Sequence, residues 1–223
     1  MNLAIAAFEG KATDHSACSG CGLCLLVCPI WRRTGDIELS PLGCCKALQH
    51  GAAADDLAAM ADWCRLCGAC APVCPERIDL IGLMRSLRHA LRLESMEGDS
   101  AALTTPLIAQ ATIRQRLGQG DLLVVEARSY HADYQRRVKL YATLSRETGC
   151  MLSLDLQRIA IPARLPAPDG YAGDGDDLTQ AHWIVQGREI ARIVVEDAAD
   201  RRAFESLGSW PVITLDELAG GIH

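Results

Sequence analysis

Short apolar runs alternate with longer segments of helical periodicity in the second half of the chain. Four runs are predicted to be strands, at 122–125, 151–154, 190–195 and 211–214, and the first of them is predicted to be buried. The segments between them are predicted to be helices, at about 133–148, 178–186 and 198–207, with a loop rich in Pro and Gly at 160–177. Alternating strands and helices are typical of a small parallel sheet covered by helices, so we predict an α/β layer for 119–223.

The first half of the chain has mainly helical periodicity. Ser40 followed by Pro41 is a typical helix start, because serine caps free backbone N–H groups and proline fits the first helical position. We predict helices from there to near Gly51, from about 53 to 63, from about 79 to 96, and a modest one that ends near Gly118. The polar, glycine-containing break after residue 96 marks the boundary between the two halves.

The predicted helix at 79–96 has two distinct faces. The apolar positions that share the inward face are Leu80, Leu83, Met84, Leu87 and Leu91. Arg85, Arg88 and Arg92 share another face. We predict that this arginine face is exposed to solvent, because charged side chains are almost never fully buried unless they are paired. Docking of an acidic partner is the alternative role for these arginines.

Eight of the eleven cysteines form two runs of identical spacing. The runs are Cys18-x-x-Cys21-x-x-Cys24-x-x-x-Cys28-Pro29 and Cys64-x-x-Cys67-x-x-Cys70-x-x-x-Cys74-Pro75. This is the spacing of bacterial two-cluster ferredoxins, in which the fourth cysteine of each run binds the other cluster. We therefore predict two [4Fe–4S] clusters. The first is held by Cys18, Cys21, Cys24 and Cys74, and the second by Cys64, Cys67, Cys70 and Cys28.

Zinc is the main alternative for closely spaced cysteines. A structural zinc site uses two cysteine pairs separated by a spacer, whereas each run here continues directly into a third and a fourth cysteine. The spacing therefore favours iron–sulfur clusters. Ten of the eleven cysteines fall before residue 75, and eight of these have the metal-type spacing. This distribution indicates a reducing compartment and not a secreted disulfide scaffold.

Three cysteines lie outside the two runs. Cys44 and Cys45 are adjacent in the predicted helix that begins after Ser40, and Cys150 follows Gly149. Three roles are open for the adjacent pair: ligands of an extra cluster, a redox-active disulfide, or packing against the cluster domain. We favour packing, since free cysteine is among the most buried residue types. Cys150 is likewise predicted to be a buried small side chain.

The charge and the motif content exclude several classes of function. The net charge is −6, from 22 basic and 28 acidic residues, and the absence of a basic run argues against nucleic acid as a partner. No stretch approaches the ~18 uncharged apolar residues of a membrane span, and the N-terminus lacks the basic region of a signal peptide. We expect a cytoplasmic protein that reaches a membrane only through a partner. The second half contains no nucleotide-binding or hydrolase motif, so we assign no catalytic residue.

The stretch from Cys18 to about Arg92 resembles the α-helical dicluster ferredoxin family. The resemblance rests on Cys-Gly-Leu-Cys-x-x-x-Cys-Pro at 21–29, Ser-Pro-Leu-Gly at 40–43, the cysteine run at 64–75, and Ile78-Asp79 after it. The family includes the C subunits of heterodisulfide reductases and of anaerobic glycerol-3-phosphate dehydrogenase, and the iron–sulfur subunits of glycolate and lactate oxidases. In the oxidase relatives an arginine is common at the position of Cys44.

The resemblance implies an α+β chain of several domains. We expect an α-helical two-cluster ferredoxin domain at 1–98, a linker helix at 99–118, and a small α/β domain for interaction at 119–223. The implied function is an electron-transfer subunit within a multi-subunit oxidoreductase, and not a catalytic subunit on its own. Its partners would be a flavoprotein or dehydrogenase and a downstream acceptor subunit. The alternatives are a thiol/disulfide reductase component with redox-active Cys44 and Cys45, and a scaffold in which the clusters are structural.

Overall fold

The computed structural model describes residues 14–93, 107–155, 158–163 and 176–220. Helices make up the first part of the chain and a small sheet with helices follows, so the predicted mixture of helix and sheet is confirmed. The described residues up to 93 belong to one compact unit and those from 107 onward to a second. Part of the predicted linker at 99–118 and most of the predicted loop at 160–177 lie outside the described residues.

The first unit is built from short helices. Its α-helices are α1 (Leu23–Val27), α2 (Pro29–Thr34), α3 (Pro41–Gln49), α4 (Ala58–Trp63) and α5 (Leu80–Ala90). Single 3₁₀ turns occupy His15–Ala17, Ile37–Leu39 and Asp55–Leu57. The two cysteine runs are therefore connected by helices, as the sequence predicted. No helix in the described part of the chain is both long and apolar enough to cross a bilayer.

Helix α3 begins where the sequence predicted. The Ser40 hydroxyl accepts a hydrogen bond from the backbone N–H of Gly43 at 3.0 Å, and Pro41 occupies the first helical position. Gly43 is required at its place, because a Cβ atom there would lie 2.0 Å from the carbonyl oxygen of Ile37. The first turn of α3 thus packs directly on the backbone of the preceding 3₁₀ turn.

Helix α5 faces the core of the first unit with its apolar side, but one prediction about its polar side is wrong. Leu80, Met84 and Leu87 are buried, as expected from their helical spacing. Arg85 is exposed. Arg88, which we predicted to be exposed, is only 5 % exposed. Its Nε and Nη2 atoms donate to backbone carbonyl oxygens, a compensation for burial that a periodicity pattern does not reveal.

The second unit contains a four-stranded sheet in which every pair of neighbours is parallel. The strand order is β2-β1-β5-β6, with β1 (Asp121–Val124), β2 (Met151–Leu152), β5 (Arg192–Val195) and β6 (Val212–Thr214). The helices are α6 (Ala111–Arg116), α7 (Ala127–Ala132), α8 (Tyr134–Thr148), α9 (Asp176–Val185), α10 (Arg201–Glu205) and α11 (Leu215–Gly220). All four residues of β1 are buried, as expected for a central parallel strand.

Several details of the second unit differ from the prediction, and one of them is helix α11, which was not predicted. The predicted strand at 151–154 is divided, and its second part, β3 (Leu154–Asp155), pairs in antiparallel fashion with β4 (Ile159–Ala160). The division falls at Ser153, whose hydroxyl accepts a hydrogen bond from the N–H of Val125. Helix α7 was not predicted, because its start is capped by the side chain of Glu126 and not by one of the usual short polar residues.

Candidate metal centre

The two cysteine runs share two left-handed backbone positions. Gly20 and Gly22 of the first run have left-handed φ angles of 82° and 77°. Leu66 and Gly68 occupy the equivalent positions of the second run and have φ angles of 50° and 80°. Three of these residues are glycines, which adopt positive φ without steric cost, whereas Leu66 is held there by its surroundings. The identical spacing in the sequence is thus accompanied by left-handed residues at the same two positions of each run.

The first cavity is lined by cysteines of both runs. Cys18, Cys21 and Cys24 come from the first run, and Cys74 from the end of the second. Cys45 of helix α3 is a fifth cysteine in the wall. Cys21 is exposed to solvent, whereas Cys74 is buried. The other side chains that line this cavity include Pro41, Leu42, Glu76, Ile78 and Leu80.

The second cavity has the reciprocal composition. Cys64, Cys67 and Cys70 come from the second run, and Cys28 from the end of the first. Neighbouring lining residues include Pro29, Pro41, Met60, Arg65 and Ile81. The structure thus brings together the same two sets of four cysteines that the spacing suggested. Pro41 lines both cavities, so the two sites are neighbours in the first unit.

The arrangement differs from a site for one metal ion. Among the residues that the structure describes, no three His, Cys, Asp or Glu side chains converge on a point suited to a single ion. A [4Fe–4S] cluster takes each thiolate at a separate iron, so its ligands surround a cavity. Each of the two cavities is lined by four cysteines from the two runs, and this arrangement fits that requirement.

The buried thiols of both sites have raised pKa values. Burial, together with the nearby Cys21, Cys28 and Cys74, raises the pKa of Cys24 to about 12. Burial likewise raises the pKa of Cys67 to about 12 and that of Cys28 to about 11. Thiolates so close together repel one another in a site of low polarity. A cationic group such as iron is therefore needed to hold them in the deprotonated, ligating form.

Backbone N–H groups point at several of these sulfurs. Cys28 precedes helix α2, and the N–H groups of Ile30 and Trp31 donate to its sulfur and oppose the rise of its pKa. The N–H of Leu66 donates in the same way to the sulfur of Cys64, and that of Ala69 to Cys67. Such hydrogen bonds stabilise negative charge on a ligating sulfur and are one of the means by which proteins set cluster potentials.

A buried arginine supports the start of the second run. Arg88 donates hydrogen bonds to three backbone carbonyl oxygens, from Nε to Ala61 at 2.8 Å, and from Nη2 to Asp62 at 3.2 Å and to Cys64 at 2.9 Å. Its Nη1 atom is buried and has no hydrogen-bond partner among the described residues. Arg65 lines the second cavity, and burial, followed by repulsion from Arg88, lowers its pKa. Two neighbouring cations beside a cavity of thiols fit an anionic occupant, and an all-thiolate cluster is one.

A lysine supports the start of the first run, as Arg88 supports the start of the second. Lys46 Nζ donates a hydrogen bond to the carbonyl oxygen of Cys18 at 2.7 Å. Gln49 Nε2 donates to the same oxygen at 3.1 Å. Sequence reasoning missed both Lys46 and Arg88 as supporting residues. No motif marks them, since each acts on a loop 24 or 28 residues away in the chain.

The three cysteines outside the runs are buried free thiols. Cys44 packs among Leu57, Met60 and other apolar side chains, and Cys45 packs against Cys74 and Ile78. Cys150 is also buried, and its carbonyl oxygen accepts a hydrogen bond from Ser145. No two of the eleven cysteines form a disulfide bond, and all eleven lie in the described residues.

Comparison with known proteins agrees with this site. Residues 14–78 match the family model described as a 4Fe-4S dicluster domain. No curated protein and no solved structure matches the chain. The matched segment contains both cysteine runs and all the helices between them. The match therefore supports a ferredoxin-like iron–sulfur family, [4Fe–4S] clusters and a role in electron transfer.

Proposed function

We propose that the chain binds two [4Fe–4S] clusters and relays single electrons between partners within a multi-subunit oxidoreductase. The observation that supports this most directly is the sorting of eight cysteines into two neighbouring cavities. Cys18, Cys21, Cys24 and Cys74 would hold one cluster, and Cys28, Cys64, Cys67 and Cys70 the other. When bound, each cluster supplies a centre that accepts and releases one electron.

The protein's own groups would hold, tune and separate the two centres. The thiolates would bind the irons of the clusters, and backbone N–H groups such as that of Trp31 would stabilise negative charge on the sulfurs. Apolar side chains limit water at the second site, where Met60 and Ile30 are both nearly fully buried. Pro41 lies against both cavities, so an electron needs to cross only a short distance between them.

The first site is the more accessible to a partner. Cys21 is exposed, and the side chains of Leu23 and Leu26 on helix α1 are 43 % and 52 % exposed. Exposed apolar side chains beside a redox centre suit a protein partner that approaches closely. A flavoprotein or dehydrogenase subunit and a downstream acceptor subunit are the partners that this function requires.

The alternative function, a thiol/disulfide reductase that uses Cys44 and Cys45, has less support. A reactive cysteine needs exposure and a lowered pKa, because the thiolate is the nucleophile. Burial raises the pKa of Cys44 to about 12 and raises that of Cys45 as well. Both side chains are at most 1 % exposed. The electron-transfer proposal assigns them no chemical step.

Anaerobic reconstitution of the full chain tests the proposal. We expect about eight irons and eight acid-labile sulfides per chain, and EPR signals from two centres after reduction. Cys74→Ser should alter one EPR signal and Cys28→Ser the other, since these cysteines belong to different cavities. Cys150→Ser, in the second unit, is the matched control and should leave both signals intact. Zinc as the bound metal, or only about four irons per chain, would refute the two-cluster proposal.

A further inference from the structure

The two cysteine sites differ in the charges that surround them. At the second site, Arg65 lines the cavity and Arg88 binds the carbonyl oxygen of Cys64. At the first site, Glu76 lines the cavity and Lys46 binds the carbonyl oxygen of Cys18. Asp62 and Arg33 also lie close enough to Arg65 to affect its pKa. The second site is thus accompanied by three guanidinium groups and one carboxylate, and the first by one ammonium and one carboxylate.

The burial of Arg88 strengthens its electrostatic effect on the second cysteine site. The side chain is 5 % exposed, and its three hydrogen-bond acceptors are backbone carbonyl oxygens, which carry no full negative charge. Its Nη1 atom has no acceptor among the described residues. A buried cation without a charged acceptor is costly unless an anion lies nearby, and charges act more strongly in an environment of low polarity. Arginine also stays charged at all accessible pH values.

We propose that Arg88, together with Arg65, makes the second cysteine site the more readily reduced of the two. This inference rests on the proposed electron-transfer function. Reduction adds one negative charge to a centre, and neighbouring cations stabilise the added charge. Water at the exposed Cys21 also stabilises the reduced form of the first site, but Glu76 opposes it there. The net local charge therefore decides the order of the two potentials.

The order of the potentials gives the relay a direction. An electron that enters at the first site, where Cys21 is exposed, would move to the second site and remain there until the acceptor removes it. Arg88 is a positioning and tuning residue in this scheme, because it contacts the backbone of a ligand and not a reacting atom.

A redox titration of the reconstituted full chain, followed by EPR, tests the inference. The signal altered by Cys28→Ser identifies the second site, and we expect it to have the higher midpoint potential. Arg88→Gln should shift that midpoint to a lower value and leave the other unchanged. Arg85→Gln is the matched control, because Arg85 lies on the same helix and is exposed. Arg88→Lys keeps the positive charge but makes fewer hydrogen bonds. The midpoint potential of the second site should therefore be close to the wild-type value in this variant.

If Arg88→Gln does not fold, a variant of Arg65 can be used in the same redox titration. Arg65→Gln removes a half-buried cation from the cavity wall and should shift the same midpoint in the same direction. Equal shifts in Arg88→Gln and Arg88→Lys would overturn the charge argument, as would a second site with the lower midpoint in the wild-type protein. A chain that binds fewer than two clusters would refute the proposed function itself, which iron analysis detects before any titration.

Discussion

The ammonium group of Lys46 lies 2.7 Å from the carbonyl oxygen of Cys18, and this hydrogen bond fixes the first cysteine loop to helix α3. The aliphatic part of the same side chain passes close to Gly20, where a Cβ atom would lie 3.2 Å from Cε. Lys46 therefore holds both the start and the turn of the loop. It has this role although it belongs to neither cysteine run.

Replacing Lys46 with Met should loosen the first cysteine loop. The carbonyl oxygen of Cys18 keeps only the hydrogen bond from Gln49, so the first site should lose iron faster to a chelator. The second site should be unaffected, because its loop is held by Arg88. The measurement is the loss of each EPR signal with time in the presence of chelator. Lys139→Met, at an exposed position of the second unit, is the control, and equal loss of both signals would contradict the prediction.

Gly43→Ala should destabilise the first unit. The new Cβ atom would meet the Ile37 carbonyl oxygen at 2.0 Å, and the backbone on both sides would have to move apart. Overpacking of this kind typically costs about 1–3 kcal/mol. Gly118→Ala is the control, because nothing lies within 4 Å of its added Cβ. The measurement is the urea unfolding midpoint of each variant as holoprotein. Similar midpoints for the two variants would show that the backbone near Gly43 moves apart at little cost.

The ion pair between Arg192 and Asp121 should contribute to the stability of the sheet. Nε and Nη2 of Arg192 donate to the two carboxylate oxygens of Asp121 at 2.9 and 2.6 Å. Asp121 is buried, so Arg192→Met leaves its carboxylate without a cation, and we expect a loss of about 1–3 kcal/mol in the free energy of unfolding. Arg136→Met is the control, since Arg136 lies 3.7 Å from Asp133 and is exposed. Equal losses in the two variants, measured by urea unfolding, would refute this role.

Glu196 should make the stability of the second unit depend on pH. Burial raises the pKa of its carboxyl group above the ordinary value, although the hydroxyl of Tyr141 donates a hydrogen bond to it at 2.5 Å. A raised pKa in the folded state means that the folded protein binds the proton more tightly than the unfolded chain. The stabilisation from this group is therefore complete at pH values below the unfolded pKa and is lost as the pH rises through the folded pKa.

The variant Glu196→Gln removes this titration. We expect its urea midpoint to change less between pH 5 and pH 8 than that of the wild-type protein. Tyr141→Phe is a useful companion, because it removes the donor and should raise the pKa of Glu196 further. An identical pH profile in the wild type and in Glu196→Gln would show that another group dominates this range.

The features of this protein that depend on local spacing could be predicted from the amino-acid sequence alone. The two cysteine runs, the helix start at Ser40 and the alternation of strands and helices are patterns of short range. The periodicity of helix and strand and the spacing rule for cysteine runs predict them directly. The pairing of Cys74 with the first run and of Cys28 with the second was also predictable, because the spacing rule includes the crossing of the fourth cysteine.

The charged side chains that support the cysteine loops could not be predicted from the sequence, because packing between distant segments selects them. Arg88 is on a helix whose pattern indicated an exposed arginine face, yet its guanidinium group lies against the carbonyl oxygens of 61–64. Lys46 and Cys45 are neighbours in the sequence, and both face the first run from helix α3. These contacts join segments that are far apart in the chain. Their existence depends on how the helices pack, and a buried charge becomes stable only after packing has supplied its partners.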